Sequence, residues 1–286
     1  MKLDNDYPLV IFVIKDSQYA ISAKFVSNMV AVPDTRPVPH APSYVRGIIN
    51  LRGKVLPLVD LRMRLGFESA ASELNEFYSM LNQREQDHRN WLNELEASVD
   101  EERDFPLTSD PHKCAFGKWY DTYETNDLSA KAILRKFDRP HKRIHALAHH
   151  VEEFQAQGNF DGARKVIEEG REKDLKRMIK LFASVQNHFS ESAREIAMIV
   201  ETPEFDYAVA IDMVSAVEFL APGTTEKLPA GLDNGQTNNL VALIGRRESD
   251  NSSVQILDSG RICDPQEVKG LITRENMEND QELQPA

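Results

Sequence analysis

Cysteine is scarce in this sequence, with two residues in 286. Two cysteines cannot build the disulfide framework of a small secreted domain, so the composition favours a reducing cytoplasm. Basic residues are also few: 34 lysines and arginines face 46 aspartates and glutamates, for a formal net charge of −12. Nucleic acids and anionic membranes favour basic surfaces, so this charge argues against both as partners.

Long apolar runs are missing as well. The longest, near residues 207–220, is interrupted by Asp212 and Glu218, so we expect no membrane-spanning helix. The first residues, Met1 to Asp6, lack the pattern of a signal peptide. We therefore expect a cytoplasmic protein, and any attachment to a membrane receptor would go through protein contacts.

Four good metal ligands lie between residues 88 and 145: His88, Cys114, His141 and His145. His141 and His145 are four residues apart, so on a helix both rings lie on one face and reach one ion. Three imidazoles and one thiolate suit a tetrahedral, borderline-soft ion, which indicates Zn²⁺. The histidine pair alone is explained equally well by a solvated helix face. Cys114 favours the metal, because glycine and aromatic residues follow it closely.

These ligands occur in three short motifs, namely His88-x-x-Trp91, Cys114-x-Phe116-Gly117-x-Trp119 and His141-x-x-x-His145. The motifs and their spacing resemble the signature of the chemoreceptor zinc-binding domain (CZB) family. The resemblance implies a helical bundle over about residues 70–191, with a three-histidine, one-cysteine zinc site, used in bacterial signalling proteins. We expect the three aromatic residues of the motifs to pack around the ligands.

Residues 8–67 are typical of strands and turns, beginning with the β-rich run from Leu9 to Ile14. Later, two glycines flank Asn50-Leu51-Arg52 inside a β-rich stretch, residues 47–61, which predicts a hairpin with a tight backbone. Together with the strands before it, this stretch resembles the CheW family of chemotaxis coupling proteins. The family pattern is close to G-x-x-N-L-R-G-x-x-x-P-x-x-D-L, and the chain matches every specified position.

The CheW resemblance implies paired SH3-like β-barrels and docking to chemoreceptor cytoplasmic tips and to the histidine kinase CheA. It also places Gly47, Asn50, Leu51 and Arg52 at or near a partner surface. Family members often have an acidic residue where this chain has Asn28, so an ion pair between that position and Arg52 is not expected here.

The two resemblances together predict an α+β protein with two domains. The CheW-like β domain is discontinuous, from residues 1–67 and 193–275; the CZB-like bundle, residues 70–191, is inserted between them; and residues 276–286 form a polar, disordered tail. Within the insertion, apolar residues recur at helical spacing. A helix is predicted to start at Asp110-Pro111, with Cys114 one turn inside it. A last helix is predicted over about residues 161–192.

Three functions fit these patterns. The first is a non-enzymatic chemotaxis adaptor whose zinc-binding insertion adjusts docking, with Cys114 reporting zinc level, pH or an oxidant such as hypochlorite. The second is a metal-dependent enzyme, which four protein ligands disfavour because catalytic zinc keeps an open position. The third is an adaptor in which zinc is purely structural. We expect His149 to be a half-exposed helix residue and Cys263 to be a small buried hydrophobe.

Overall fold

The computed structural model describes residues 4–221, 223–227 and 240–268, so the predicted tail, 276–286, lies outside the described residues. The chain divides into two compact units, with boundaries after Ala70 and after Ser192. We call the outer pieces together the β unit and residues 71–192 the helical unit. The predicted α+β class is confirmed, since the helical region lies between two β parts of the sequence.

The β unit is built from strands that come from both sides of the helical unit. Its described strands are β1 (Leu9–Ile14), β2 (Ser17–Ser22), β3 (Val26–Ala31), β4 (Val45–Leu51), β5 (Lys54–Asp60), β6 (Ile196–Glu201), β7 (Asp206–Ile211), β8 (Met213–Glu218), β9 (Thr225–Glu226), β10 (Val241–Arg246) and β11 (Ser253–Leu257). Short helices α1 (Leu61–Arg64), α8 (Ser259–Ile262) and α9 (Pro265–Val268) complete it.

These strands form two sheets. One has the order β8-β1-β2-β11-β10-β9, and the other has the order β3-β6-β7-β5-β4. Strand β5, which precedes the helical unit, pairs in parallel with β7, which follows it, and β2 pairs in the same way with β11. Parallel neighbours need a long connection. The whole helical unit forms part of the connection between β5 and β7.

The predicted hairpin is present as β4 and β5. Arg52 and Gly53 form its turn, with φ of 53° and 84°, as a tight two-residue turn requires. The Asn50 side chain accepts a hydrogen bond from the Gly53 amide at 2.9 Å. Gly47 has φ of 148°, and a Cβ there would lie 2.0 Å from the Arg36 carbonyl oxygen. Only glycine allows this approach of two backbones.

Arg46 connects a residue that precedes the helical unit in sequence, Asp60, to one that follows it, Glu195. Its Nε donates to Asp60 at 2.8 Å, and its two terminal nitrogens donate to the two carboxylate oxygens of Glu195 at 2.6 Å each. Asp60 is buried and also accepts from the Met63 amide at 3.1 Å, capping α1. The Glu195 carbonyl accepts from the Val32 amide. The chain is therefore anchored just before it leaves the β unit and just after it returns.

This network predicts a stability effect for Arg46→Met. The substitution leaves the buried Asp60 carboxylate without its cation, so we expect a loss of about 2–3 kcal/mol in unfolding free energy. Lys54→Met is the matched control, because Lys54 also pairs with two acidic residues but is about half exposed; it should cost less than about 1 kcal/mol. Urea unfolding followed by circular dichroism measures both. Equal losses in the two variants would contradict the assigned role.

The helical unit consists of α2 (Ala70–Asp100), α3 (Ala115–Thr122), α4 (Leu128–Leu134), α5 (Asp138–Ala156), α6 (Phe160–Gly170) and α7 (Lys176–Ser192). Its first and last helices lie side by side: the Tyr78 hydroxyl donates to the Gln186 carbonyl at 2.9 Å, and the Phe77 and Phe189 rings are 4.9 Å apart. Among the helices that the structure describes, none is long and apolar enough to cross a membrane.

The single last helix predicted over residues 161–192 is not uniform. A π-helical turn, Arg171–Leu175, separates α6 from α7. Asp174 lies in this turn, is 9% exposed, and accepts a hydrogen bond from Arg143 Nε of α5 at 2.9 Å. Burying a carboxylate without a partner costs free energy. The π-helical turn places Asp174 within hydrogen-bond distance of Arg143. Apolar periodicity does not report such a local change of helix type.

Candidate metal centre

Four side chains from three parts of the helical unit converge on one point. His88 lies in the middle of α2, Cys114 immediately precedes α3, and His141 and His145 share one face of α5. One nitrogen from each ring and the sulphur all lie within 4.8 Å of one another. The structure thus brings together all four residues that the sequence proposed as ligands, and their binding of a metal stays a prediction.

Several polar atoms of this cluster lack a protein partner. The Nδ1 of His88 donates to the Arg84 carbonyl at 2.7 Å, which leaves its Nε2 unprotonated and aimed inward. In the described part of the chain, His88 Nε2 and both ring nitrogens of His145 are buried without a hydrogen-bond partner. Each such atom costs about 1–3 kcal/mol. Three imidazoles and a thiol are also the donor set that Zn²⁺ prefers, so the residues fit a metal ion.

Burial keeps the three histidines neutral. It lowers the pKa of His88, lowers that of His141 to about 2, and lowers that of His145 to about 4, with the neighbouring imidazoles adding to the effect at His141. Neutral rings keep a lone pair for a metal. Burial also raises the pKa of the Cys114 thiol. A cation among these groups would favour the thiolate instead.

Cys114 is held by a sharp turn and not by a helix. Its sulphur accepts from the Gly117 amide at 3.1 Å and so caps α3, and it lies 3.3 Å from the Pro111 carbonyl oxygen and 3.2 Å from His141 Nε2. The predicted helix start at Asp110-Pro111 is wrong, because residues 111–113 form a turn and α3 begins at Ala115. The Asp110 carboxylate accepts from the His112 amide at 3.0 Å, which favours that turn.

Gly117 makes this turn possible. A Cβ at Gly117 would lie 1.8 Å from the Pro111 carbonyl oxygen. Only glycine, which has no Cβ, fits at this position. The backbone of the turn at Pro111 therefore packs directly against the first turn of α3 at Gly117. This contact brings the Cys114 sulphur to the histidines of α5.

Aromatic side chains surround the ligands. The Phe116 ring lies 4.9 Å from that of His141 and 5.7 Å from that of His88, and the Trp91 ring lies 4.9 Å from that of His145. Trp119 packs one layer farther out, against Phe116 at 5.7 Å. Trp91 and Phe116 therefore contact the ligands as expected, and Trp119 supports them indirectly.

A cavity of about 300 Å³ adjoins the cluster. Three of the four ligands line it, together with Trp91, Leu107 and Phe116. Leu107 belongs to the segment between α2 and α3, whose Thr108 carbonyl accepts from Trp91 Nε1 at 2.9 Å. This contact could not be predicted from the residue types, since Thr108 contributes only its backbone carbonyl.

The other residues singled out from the sequence lie elsewhere. In the β unit, Gly47 is buried, Leu51 is partly buried against a small apolar core, and Arg52 is exposed at the tip of the hairpin. His149 is exposed beside Glu152. Cys263 is buried, and burial raises its pKa to about 12.

Two family models match parts of the chain. Residues 8–88 match the family model of the CheW-like domain, and residues 88–152 match that of the chemoreceptor zinc-binding domain. Together the two matches cover strands β1 to β5 and all four residues of the cluster.

Curated chemotaxis proteins match part of the chain. The chain is 37% identical over 75 residues to the chemotaxis protein CheW of Treponema pallidum (strain Nichols), a match that covers 26% of this chain and 44% of the relative. It is 42% identical over 62 residues to that of Rhizobium meliloti (strain 1021), covering 22% and 40%. The chain thus spans less than half the length of these relatives. The crystal structure of scaffolding protein TtCheW from Thermoanaerobacter tengcongensis aligns over 88% of each chain, with 13% identity and a TM-score of 0.41.

Proposed function

Because the chain combines a CheW-like domain with a chemoreceptor zinc-binding domain, we propose that it is a non-enzymatic chemotaxis adaptor of the bacterial cytoplasm. In this role it couples chemoreceptors to the histidine kinase CheA, and Zn²⁺ bound in the helical unit adjusts that coupling. The observation that carries the proposal is the buried cluster of His88, Cys114, His141 and His145, inside a unit that interrupts the β unit.

Each residue of the cluster has a defined part in holding the ion. His88 Nε2, His141 Nε2, one ring nitrogen of His145 and the Cys114 sulphur would bind Zn²⁺, which when bound favours the thiolate over the thiol. The Arg84 carbonyl holds the His88 ring in the required tautomer. Phe116 and Trp91 exclude water from two sides. Four protein ligands leave no open position for a substrate or water, which favours this function over a metal-dependent enzyme.

We further propose that residues 1–67 and 193–275 form one CheW-like domain and residues 70–191 a separate CZB-like domain. The parallel pairing of β5 with β7 supports this, because it joins residues from both sides of the insertion. Of the four hairpin residues, the exposed Arg52 at the hairpin tip is the best candidate for contact with a partner. Gly47 instead allows the close approach of two backbones, and the Asn50 side chain accepts a hydrogen bond from the turn.

Deleting residues 71–192 and joining the ends with a short flexible linker should leave a folded β unit. The expected result is a β-rich circular dichroism spectrum and exchange-protected amides in β1 and β7, which are buried on both faces. The same deletion combined with Arg46→Met is the control and should be less stable. An unfolded product from the simple deletion would contradict two separable domains.

A second prediction concerns the signal. Zinc loss or oxidation of Cys114 should change the affinity for the receptor or kinase partner by about 5- to 150-fold, equal to about 1–3 kcal/mol of coupling. The reason is that α2 and α7 run directly into the two junctions with the β unit. Isothermal titration of zinc-loaded, zinc-free and Cys114→Ser protein against a receptor fragment or CheA measures this.

Linkage also requires that partner binding change zinc affinity by the same factor. A His149→Ala variant, altered on the same helix but outside the cluster, should behave as wild type. Identical affinities in all forms, with each form folded, would leave zinc as a structural element only and remove the sensing function.

A further inference from the structure

Leu107 lies where the cavity beside the metal centre meets solvent. It lines that cavity and yet is 45% exposed. Cys114, His88 and His145 also line this cavity. A reagent that approaches the Cys114 sulphur through this opening therefore passes Leu107.

Trp91 fixes the segment that carries Leu107. Its indole nitrogen donates to the Thr108 carbonyl at 2.9 Å, and its ring lies 4.8 Å from that of Phe105. The same indole lies 4.9 Å from the His145 ring and is 5% exposed. The segment from Phe105 to Thr108 is thus held at the cluster by a buried residue that also contacts a ligand.

The charge of the cavity lining also matters. Among the described residues that line it, none is lysine or arginine, and Asp87 is the one carboxylate. Asp87 accepts a hydrogen bond from Arg84 at 2.6 Å, so its charge is partly balanced. Most of the remaining wall is apolar or aromatic. The side chains that line this opening offer an anion no cationic partner, and the chain's net charge of −12 opposes its approach.

We propose that Leu107 and the segment 105–108 form a filter that admits small uncharged oxidants to Cys114 and retards anionic or bulky ones. This inference rests on the proposed function, in which oxidation of Cys114 is a signal. Hydrogen peroxide and hypochlorous acid fit the filter, whereas the hypochlorite anion and large disulfides do not.

The step that the filter controls is a two-electron oxidation. With hydrogen peroxide, the Cys114 thiolate attacks one oxygen, the O–O bond breaks and an S–OH bond forms. Sulphur loses two electrons and the peroxide is reduced. The departing hydroxide takes a proton and leaves as water. The product sulphenic acid is a poorer metal ligand than the thiolate.

Thiol-modifying probes separate charge from size. The small neutral probe is methyl methanethiosulfonate, the anionic probe is its sulphonatoethyl analogue, and the bulky neutral probe is 2,2′-dipyridyl disulfide. Rates at Cys114 are measured by mass spectrometry of the Cys114 peptide, which also separates it from Cys263. Full-length protein is compared with the same protein unfolded in urea. We expect the neutral probe to be favoured over the anionic one roughly 10-fold more in the folded protein.

Variants at the mouth test the assignment. Leu107→Lys should raise the rate of the anionic probe roughly 10-fold and leave the small neutral probe unchanged, and Leu107→Ala should raise the rate of the bulky disulfide. Leu128→Lys is the matched control, because Leu128 is 78% exposed on α4 and does not line the cavity. Zinc content and circular dichroism confirm that each variant is folded.

The proposal is overturned if folded and unfolded protein show the same probe preferences, or if Leu107→Lys and Leu128→Lys have equal effects. These rates are independent of partner affinity. If oxidation leaves partner affinity unchanged, the sensing function fails while the filter stands; if the filter fails, sensing by another route is unaffected.

Discussion

Replacing His145 with alanine should reduce the zinc content of the purified protein from about one ion per chain to almost none. His145 is fully buried and has no hydrogen-bond partner at either ring nitrogen in the described structure. Zinc binding by four such ligands is worth about 10–16 kcal/mol, so the loss of one ligand should weaken affinity by on the order of 100-fold or more. Cys114→Ala should have a comparable effect. Inductively coupled plasma mass spectrometry after dialysis against a weak chelator measures the content.

His149→Ala is the matched control for this experiment. His149 lies four residues after His145 on the same helix, but it is exposed and pairs with Glu152. It should keep the full zinc content. A variant that lacks both His141 and His145 yet keeps one zinc per chain would disprove the site.

Gly117→Ala should strongly destabilise the helical unit, although it adds only one methyl group. The added Cβ would lie 1.8 Å from the Pro111 carbonyl oxygen, and both groups belong to the backbone or are fixed to it. Relief requires the turn before α3 to move, which also moves the Cys114 sulphur away from His141. We expect a loss of about 3 kcal/mol or more, together with strongly weakened zinc binding.

Thermal unfolding and a competitive zinc titration measure the two effects of Gly117→Ala. Lys118→Ala, at the next position of the same helix, is the control, because the Lys118 side chain is exposed; it should change stability by less than about 0.5 kcal/mol. If Gly117→Ala keeps wild-type zinc affinity, the turn does not position the sulphur in the way proposed.

Much of the helical unit could be predicted from the sequence, because helix periodicity and ligand spacing are local signals. The spacing of His141 and His145 places both on one face of α5 whatever the rest of the unit does. The apolar stripe of α2 is buried from Leu81 through Trp91 to Val99, as its spacing indicates. The hairpin also followed from local chemistry, since Arg52 and Gly53 adopt the positive φ that a two-residue turn needs.

The remaining features depend on contacts between distant residues. Arg46 forms an ion pair with Glu195, and the whole helical unit separates these two residues in sequence. Nothing in the sequence around either residue predicts this pair. The turn before α3 was wrongly predicted as helix because proline at a first helical position is common, whereas the decisive contact is between Pro111 and Gly117. Cysteine is not among the residues preferred at an N-cap, so the sequence did not indicate that Cys114 caps α3.

The side-by-side packing of α2 and α7 has a consequence for how the chain folds. Pairing β5 with β7 requires the closure of a loop of more than 120 residues if the helical unit is unfolded. If that unit folds first, Tyr78 and Gln186 are already in contact, and the effective loop between β5 and β7 shortens to about 40 residues. The saving in chain entropy is about 1 kcal/mol. A helical unit that acquires its metal during synthesis would therefore speed assembly of the second β-sheet, and metal starvation would expose unpaired strands of a half-made sheet to aggregation.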